Sequence, residues 1–402
     1  MAPYGKGEER IGSNTMKILH LFSNWKWTGP ADPTVNLCRG LEKRGHDVTF
    51  AYRKPPLPVE DSIEKRVLQA GVKATDQFQL DHSMKLYYPS FLPTNLRDIL
   101  DLTHYLRKEK FDILNVHHSH GHLLGGIAVR RSGHPAIVIR TDHNRDPLKP
   151  SWGNRFLIFQ FTDGMITFSE RARREDAEKF GLPLERVGKI SPALDLDRYD
   201  PQRKFKNMRT HFGIEPEEIV IGMIARFQKY RRTDAFLEAV KTIAKEFPNV
   251  KVLLVGRSSQ MERSVIQPMK QLGVEKWVVL GGYQTNDYLD TIACMDIFVF
   301  LMAGSDGTAR ALREAMAMGK PVIVANRGML PELVEDGVSG LVVNDTPEEL
   351  AQAALRLLHH PEMKEALGKA AYQKAHQDFE LDRQVKAVES FYQEMIKLGK
   401  RK

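Results

Sequence analysis

Hydrophobic positions along the chain follow two alternating patterns. Short continuous runs of Val, Ile and Leu, such as those at 17–22 and 219–224, predict strands buried on both faces. Between these runs apolar residues recur every three or four positions, as from Phe236 to Phe247, which predicts one buried face of a helix. Buried strands that alternate with amphipathic helices indicate parallel sheets covered by helices, an α/β fold.

The strand-like runs form two series. They lie at 17–22, 47–51, 113–116, 136–140 and 164–168 in the first, and at 219–224, 252–255, 278–280, 297–301, 321–325 and 341–343 in the second. Each series suffices for one doubly wound, Rossmann-like sheet. We therefore predict two Rossmann-like domains, over 16–195 and 203–375, facing each other across a cleft where ligands bind.

The segments outside these domains are short. Turn-forming residues from Pro192 to Gln202 predict the linker. Residues 376–402 are predicted to be a C-terminal helix and basic tail; both a solvated tail and packing back on the N-terminal domain stay open. Residues 1–15 are polar and glycine-rich, and we expect a disordered leader or an expression remnant.

Length and composition agree with two ordinary globular domains. The chain has 402 residues and two cysteines, Cys38 and Cys294, one in each half. A disulfide framework is therefore not expected, and a reducing cytoplasm is the expected location. No uninterrupted apolar run approaches the roughly 20 residues that a membrane-crossing helix needs.

The formal charge of +8 favours anionic partners. Nucleoside diphosphates, acidic glycans and a phospholipid surface fit this charge, although solubility alone also explains it. The sequence has no zinc-ligand spacing and no clustered basic and aromatic module, so nucleic acid is not an expected partner.

The segment from Gly304 to Ile323 carries the most chemical information. Small residues from Gly304 to Thr308 predict a turn that opens a helix, and the free N–H groups of such a turn suit phosphate or sugar oxygens. Glu314 lies about two turns into this helix, where its carboxylate can accept hydrogen bonds from two ribose hydroxyls. Taken alone, Asp306 also fits a helix N-cap and Glu314 a surface acid.

This segment resembles the acidic pair of retaining GT-B glycosyltransferases, particularly family four. The family shows Glu-Gly-Phe-Gly-Leu, three residues, and then Glu-Ala-Met-Ala-x-Gly-x-Pro-Val-Ile. The second half is matched from Glu314 to Ile323. In the first half Asp306 replaces Glu, Thr308 replaces Phe and Ala309 replaces Gly. The resemblance implies that Asp306 and the amides of Gly307, Thr308 and Ala309 hold the donor sugar.

A second match lies after the strand at 219–224. Arg226, Arg231 and Arg232 stand where the family has Arg, Lys and Gly in Gly-Arg-Leu-x-x-x-Lys-Gly. The resemblance implies that Arg226 and Arg231 bind the donor diphosphate, with a planar guanidinium in place of the lysine ammonium.

The N-terminal half resembles the family more loosely. Phe111 to His117 is similar to its Asp-Val-Val-His-x-His strand, which implies that His117 faces the donor sugar and acceptor. Gly29 stands in the place of a Gly-Gly loop near the diphosphate. The histidines from His117 to His122 also suggest a metal site, but no Asp, Glu or Cys joins them at ligand spacing, so no metal is expected.

The resemblance implies a nucleotide-sugar-dependent enzyme with a GT-B fold. It would move a sugar from a nucleoside diphosphate to a hydroxyl acceptor with retention, using His117, Arg226, Arg231 and Asp306, and without a cofactor or metal for the chemistry. The donor would contact Gly29, Arg226, Arg231, Gly307, Thr308, Ala309 and Glu314. The expected acceptor is a glycan or lipid-linked glycan of envelope polysaccharide or lipopolysaccharide synthesis.

Several alternatives stay open at the level of sequence. A catalytically degenerate nucleotide-sugar-binding protein fits the departures at 306, 308, 309 and 232, and a UDP-sugar 2-epimerase shares the fold. A nicotinamide-dependent oxidoreductase would need Gly-x-Gly-x-x-Gly after a first strand, which is absent. The aromatic and basic residues of 149–159 fit an acceptor groove, a peripheral membrane contact at the inner face, or simple core packing.

Overall fold

The protein consists of two parallel α/β units. A computed structural model describes residues 15–55, 62–80, 92–199, 203–304 and 307–401. Within these residues the first unit has a sheet of seven strands and the second a sheet of six, and all strand pairs are parallel.

The strands are short and largely buried. Those of the first sheet are β1 (Lys17–Phe22), β2 (Asp47–Tyr52), β3 (Ala74–Thr75), β4 (Ile113–Val116), β5 (Ile137–Thr141), β6 (Gly164–Thr167) and β7 (Val187–Lys189). Those of the second are β8 (Ile219–Ile224), β9 (Val250–Val255), β10 (Val278–Gly282), β11 (Ile297–Phe300), β12 (Val322–Ala325) and β13 (Leu341–Val343).

Helices connect the strands and cover both sheets. In the first half they are α1 (Ala31–Lys43), α2 (Ile63–Ala70), α3 (Leu92–Glu109), α4 (Ser119–Ser132), α5 (Trp152–Phe161) and α6 (Glu170–Phe180). In the second half they are α7 (Met208–His211), α8 (Thr233–Glu246), α9 (Gln267–Leu272), α10 (Tyr288–Ala293), α11 (Arg310–Ala317), α12 (Leu330–Leu333), α13 (Pro347–His359), α14 (Pro361–Asp378) and α15 (Leu381–Leu398).

The strand order of each sheet indicates where a crevice opens. The orders are β3-β2-β1-β4-β5-β6-β7 and β10-β9-β8-β11-β12-β13. In each sheet the order in which strands are added reverses once, between β1 and β4 in the first sheet and between β8 and β11 in the second. Crevices in such sheets open at the carboxyl ends of the strands that flank this reversal. The predicted α/β fold of two Rossmann-like, doubly wound domains is confirmed.

Hydrophobic burial explains why these segments form strands and helices. Every residue of β4, β5, β11 and β12 is buried, as expected of parallel strands covered on both faces. On α8 the buried residues include Phe236, Ala239, Val240 and Ile243, which is the face indicated by the three-and-four spacing.

The C-terminal helix α15 lies against the first unit. Its Val385 meets Gly40 of α1 so closely that a Cβ at Gly40 would lie 2.3 Å from the valine Cγ2. The buried hydroxyl of Tyr392 on α15 accepts a hydrogen bond from the Asn115 amide of β4. The preceding helix α14 packs against α11 of the second unit, so the chain crosses between the units near residue 379.

Candidate active site

A cavity of about 330 Å³ lies at the carboxyl ends of β1 and β8, between the two units. Its described lining residues are Trp27, Thr28, Gly29, Ile224, Ala225, Arg226, Arg231, Val255, Gly256, Arg257, Tyr283, Gln284, Tyr288, Phe300, Gly304, Thr308, Ala309, Arg310 and Ala311. Five of the residues singled out in the sequence therefore share one cavity, namely Gly29, Arg226, Arg231, Thr308 and Ala309. We refer to it below as the cleft cavity.

Positive charge dominates the cleft cavity. Four arginines line it, Arg226, Arg231, Arg257 and Arg310, and none of its described lining residues is an Asp or Glu. The Arg257 guanidinium lies over the Tyr283 ring, 4.1 Å from its centroid, which combines a cation with an aromatic face at one end of the cavity. Such a surface suits a ligand that carries both phosphate and a planar ring.

Arg231 is held in place from two sides. It is buried, and its guanidinium donates to the carbonyl of Met302, two residues after β11. The guanidinium carbons of Arg231 and Arg145 each lie 5.4 Å from the centroid of the Tyr230 ring. Because the guanidinium is fixed before any ligand arrives, little side-chain entropy is lost when it binds an anion.

Helix α11 begins beside the cavity with a strained residue. Ala309 has φ +43° and precedes the first helical residue, Arg310. Glycine adopts this left-handed conformation freely, whereas an alanine there costs on the order of 1 kcal/mol. The backbone has therefore kept a glycine-type turn although the glycine of the family pattern is missing.

Glu314 lies behind the cavity wall and accepts three hydrogen bonds. It is 1% exposed. Its Oε1 accepts from the Tyr199 hydroxyl at 2.8 Å and from Arg310 Nε at 2.8 Å, and its Oε2 accepts from the Tyr288 hydroxyl at 2.6 Å. The carboxylate thus accepts two hydroxyl hydrogen bonds, but both come from tyrosines of the protein.

Arg310 joins the two units across the cleft. Besides the hydrogen bond to Glu314, its Nη1 lies 3.6 Å from Asp32 Oδ2 in the first turn of α1. The Glu314 carboxylate raises the pKa of the Arg310 guanidinium well above its usual value. Arg310 is therefore a permanent cation shared by one carboxylate from each unit.

The units also meet through their backbones. The Gly307 amide donates to the His143 carbonyl at 2.7 Å, and a Cβ at Gly307 would lie 2.6 Å from the Asn144 carbonyl oxygen. Only glycine fits this approach, and its amide is engaged by the first unit in this structure. Asp306, the predicted catalytic acid next to it, lies outside the described residues.

A line of three imidazoles leads from the first sheet to this contact. His20 Nδ1 lies 3.0 Å from His117 Nε2, and His117 Nδ1 lies 2.9 Å from His143 Nε2. Burial lowers the pKa of all three, that of His20 to about 3, so they are neutral near pH 7. His117 is 4% exposed, and His143 is the member next to Gly307.

Sequence reasoning missed several residues of this site. His143 lies two residues after β5, and Arg257 lies two residues after β9. Their position at the carboxyl edge of a strand could have identified them as site residues. Tyr199 and Tyr288 carried no such signal, because their contacts with Glu314 join segments far apart in the sequence. Among the residues that the structure describes, no three His, Cys, Asp or Glu side chains are grouped to hold a metal ion.

Two protein-family models and a curated relative match this chain. The family model "Glycosyl transferases group 1" matches residues 204–374, and "Glycosyltransferase Family 4" matches residues 33–198. The chain is 25% identical over 373 residues to the N-acetyl-alpha-D-glucosaminyl L-malate synthase of Bacillus anthracis, covering 90% of this chain and 93% of the relative.

Two solved structures share the fold. Anabaena HepE in complex with UDP superposes with a TM-score of 0.75 at 19% identity, covering 93% of this chain and 98% of that one. A glycosyltransferase from Rickettsia africae superposes with a TM-score of 0.80 at 15% identity, covering 96% and 100%. These likenesses and the facing Rossmann-like units define the GT-B fold.

The two family models together span most of the chain, with only residues 199–203 between the matched ranges. The chain belongs to the GT-B glycosyltransferases of the family-four type. Every helix within the described residues lacks the length or the apolar character that a membrane-crossing segment requires.

Proposed function

We propose that this glycosyltransferase transfers a sugar from a nucleoside diphosphate to a hydroxyl group of a glycan or lipid-linked acceptor, with retention at the anomeric carbon. The observation that carries the proposal is the cleft cavity, in which four arginines and an aromatic face lie together at the carboxyl ends of β1 and β8. The UDP complex of Anabaena HepE, which has the same fold, supports this class of donor.

The proposed transfer exchanges one bond at the anomeric carbon. The bond from that carbon to the β-phosphate oxygen breaks while the acceptor oxygen bonds on the same face, and the acceptor proton passes to the leaving phosphate. Arg226 and Arg231 stabilise the negative charge that grows on the diphosphate, and Gly29 approaches it from the first unit. The arginines supply the charge that a metal ion supplies in other transferases.

Neutral histidines suit the sugar side of this site. Burial lowers the pKa of His117 and His143 and keeps both imidazoles uncharged. Both ring nitrogens of His117 already bond to His20 and His143, so His117 positions His143. The second nitrogen of His143, Nδ1, would hydrogen-bond a sugar or acceptor hydroxyl without opposing positive charge at the anomeric carbon. We propose that Asp306 and the Thr308 and Ala309 amides orient the donor sugar. Glu314 would bind the ribose once a ligand hydroxyl replaces one of its present donors.

Thermal-shift measurements with UDP, GDP, ADP and CMP and their common sugar conjugates test the donor proposal. We expect one nucleoside diphosphate to raise the melting temperature selectively, equally with and without a chelator, and the shift to shrink in Arg226→Gln but not in Arg356→Gln on α13. Absence of a shift with every nucleotide would contradict the proposal, and a shift that the chelator removes would contradict its metal independence.

Product analysis tests the reaction itself. With the stabilising donor and an envelope glycan acceptor, NMR of the new linkage should give the anomeric configuration of the donor. An inverted configuration would overturn the proposed retention. Conversion of the donor sugar in the absence of an acceptor would instead indicate a 2-epimerase.

A further inference from the structure

Helix α5 exposes an aromatic face that the transfer reaction does not use. Leu157, Ile158 and Phe161 point into the core, as an ordinary packed helix requires. Trp152 and Phe159, however, are 80% and 72% exposed, and Phe156 is also exposed. Three large aromatic side chains at positions i, i+4 and i+7 form one continuous stripe along the helix.

The stripe is ordered rather than scattered. The Trp152 and Phe156 rings stack with centroids 5.6 Å apart and planes at 12°. At the other end, Arg401 from the C-terminus donates to the Ile158 and Phe159 carbonyls and lies over the Phe159 ring, 5.7 Å from its centroid. A stripe held in this way loses little further side-chain entropy when it is covered.

Positive charge borders the stripe. Lys149, Arg155 and Arg130 are exposed around α5, with Lys400 and Arg401 at its far end, and no acidic residue occurs from 147 to 162. The two acids that flank this stretch are already paired: Asp163 with Lys400 at 3.5 Å and with the Arg401 amide, and Asp146 with Arg145 at 2.5 Å. A second copy of this face would bring two basic rims together, which is unfavourable.

We infer that α5 and the C-terminal residues 400–401 form a docking surface for an anionic phospholipid bilayer. Exposed Trp and Phe beside Lys and Arg are the composition of helices that lie in the membrane interface, where rings enter the headgroup layer and cations meet lipid phosphates. Presentation of a lipid-linked acceptor by this surface rests on the proposed function. Membrane binding itself does not, because it needs no donor.

The position of α5 gives the surface its functional meaning. The loop between β5 and α5 carries His143, whose carbonyl accepts from Gly307 in the other unit. The same loop continues through Lys149 directly into Trp152. A membrane bound at α5 therefore lies one loop away from the cleft at which the acceptor must arrive.

Vesicle co-sedimentation of the full chain tests this surface. We expect binding to phosphatidylcholine vesicles that contain phosphatidylglycerol, weak binding to phosphatidylcholine alone, and loss of binding as salt rises. The double variant Trp152→Ala/Phe159→Ala should bind at least about tenfold more weakly. Arg155→Glu should also weaken binding about tenfold, because it exchanges a cation at the lipid surface for an anion.

Matched variants separate this result from general effects. Leu68→Ser removes an apolar side chain that is 75% exposed on α2, and Lys241→Glu makes the same charge reversal on α8; both should bind as wild type does. All four proteins should keep the wild-type melting temperature and nucleotide response. Equal loss in Leu68→Ser, undiminished binding in the aromatic double variant, or no vesicle binding by wild type would overturn the inference.

Two further measurements distinguish a second protein copy from a bilayer on this face, and separate membrane docking from the proposed transfer reaction. Self-association in sedimentation velocity that disappears with Trp152→Ala/Phe159→Ala would assign the face to a second copy and overturn the lipid assignment. Vesicle binding by a protein that no nucleotide stabilises would leave the docking surface standing and reject the proposed function. Nucleotide stabilisation without vesicle binding would do the reverse.

Discussion

The Gly307 amide and the His143 carbonyl close the cleft with a hydrogen bond of 2.7 Å between the two units. This contact depends on the absence of a side chain, since a Cβ at Gly307 would lie 2.6 Å from the Asn144 carbonyl oxygen. The backbone of the second unit is thereby placed against the loop that carries the last imidazole of the histidine line.

Gly307→Ala should separate the units without unfolding them. The added methyl group pushes residue 307 away from 143–145. Displacement of catalytic groups by about 1 Å lowers the rate of transfer at least about tenfold. Turnover with the stabilising donor measures the effect, and melting temperature controls for folding. Gly153→Ala, where nothing lies within 4 Å of the added Cβ, should keep full activity; an active Gly307→Ala variant would show that this contact is dispensable.

Glu314 should contribute strongly to stability. Glu314→Ala leaves the Tyr199 and Tyr288 hydroxyls and Arg310 without their acceptor, and removal of one member of a buried charged network costs about 3 kcal/mol. Tyr288→Phe removes a single hydrogen bond and should cost about 1 kcal/mol. Urea denaturation measures both free energies of unfolding, and equal stability of Glu314→Ala and wild type would contradict this account.

Arg226 should matter more for the rate of transfer than for the fold. It lines the cleft cavity, and loss of a cation that stabilises transition-state charge costs about a hundredfold in rate. We therefore expect Arg226→Gln to lower kcat with an unchanged melting temperature. Arg356→Gln on α13 serves as the control, and wild-type turnover in Arg226→Gln would remove Arg226 from the proposed mechanism.

The histidine line should make the fold sensitive to acid. The unfolded chain protonates these imidazoles near pH 6.5, whereas burial keeps His20, His117 and His143 neutral in the folded protein to much lower pH. Their contribution to stability is therefore complete above about pH 6.5 and is lost as pH falls below it. The raised pKa values of Asp142 and Asp176, the latter to about 7, act in the opposite direction.

Burial also lowers the pKa of His122. Four imidazoles outweigh Asp142 and Asp176 in this range, so the free energy of unfolding should decrease from about pH 7 to about pH 5, by up to about 1 kcal/mol per histidine per pH unit. Urea titrations across this range measure the slope. His20→Leu should flatten it, whereas His359→Leu, which removes an exposed imidazole, should not. A slope of the opposite sign would mean that the carboxyl groups dominate.

The fold could be predicted from the sequence because it depends on local patterns of apolar residues. Continuous apolar runs identified strands such as β4 (Ile113–Val116) to the residue, and three-and-four spacing identified the buried face of α8. The first residue of a helix has a weaker local signal: α1 begins at Ala31, directly after the turn at Thr28–Pro30.

The site was predictable only where its residues follow strands or a family pattern. Arg226 and Arg231 follow β8, and both reach the predicted cavity. The surroundings of Glu314 were not predictable, since Tyr199 comes from a segment interpreted as a linker and Arg310 replaces an apolar residue of the family pattern. Contacts between distant segments depend on the tertiary arrangement, which no local spacing encodes.

Arg310 competes with the donor for Glu314. Its guanidinium reaches Glu314 on one unit and Asp32 on the other, where a donor hydroxyl would otherwise bind if Glu314 holds the ribose as proposed. A tethered group of this kind competes at an effective concentration of millimolar order. The measured affinity for any donor would then be a difference between two bound states, so shortening Arg310 could tighten binding without adding a single contact to the ligand.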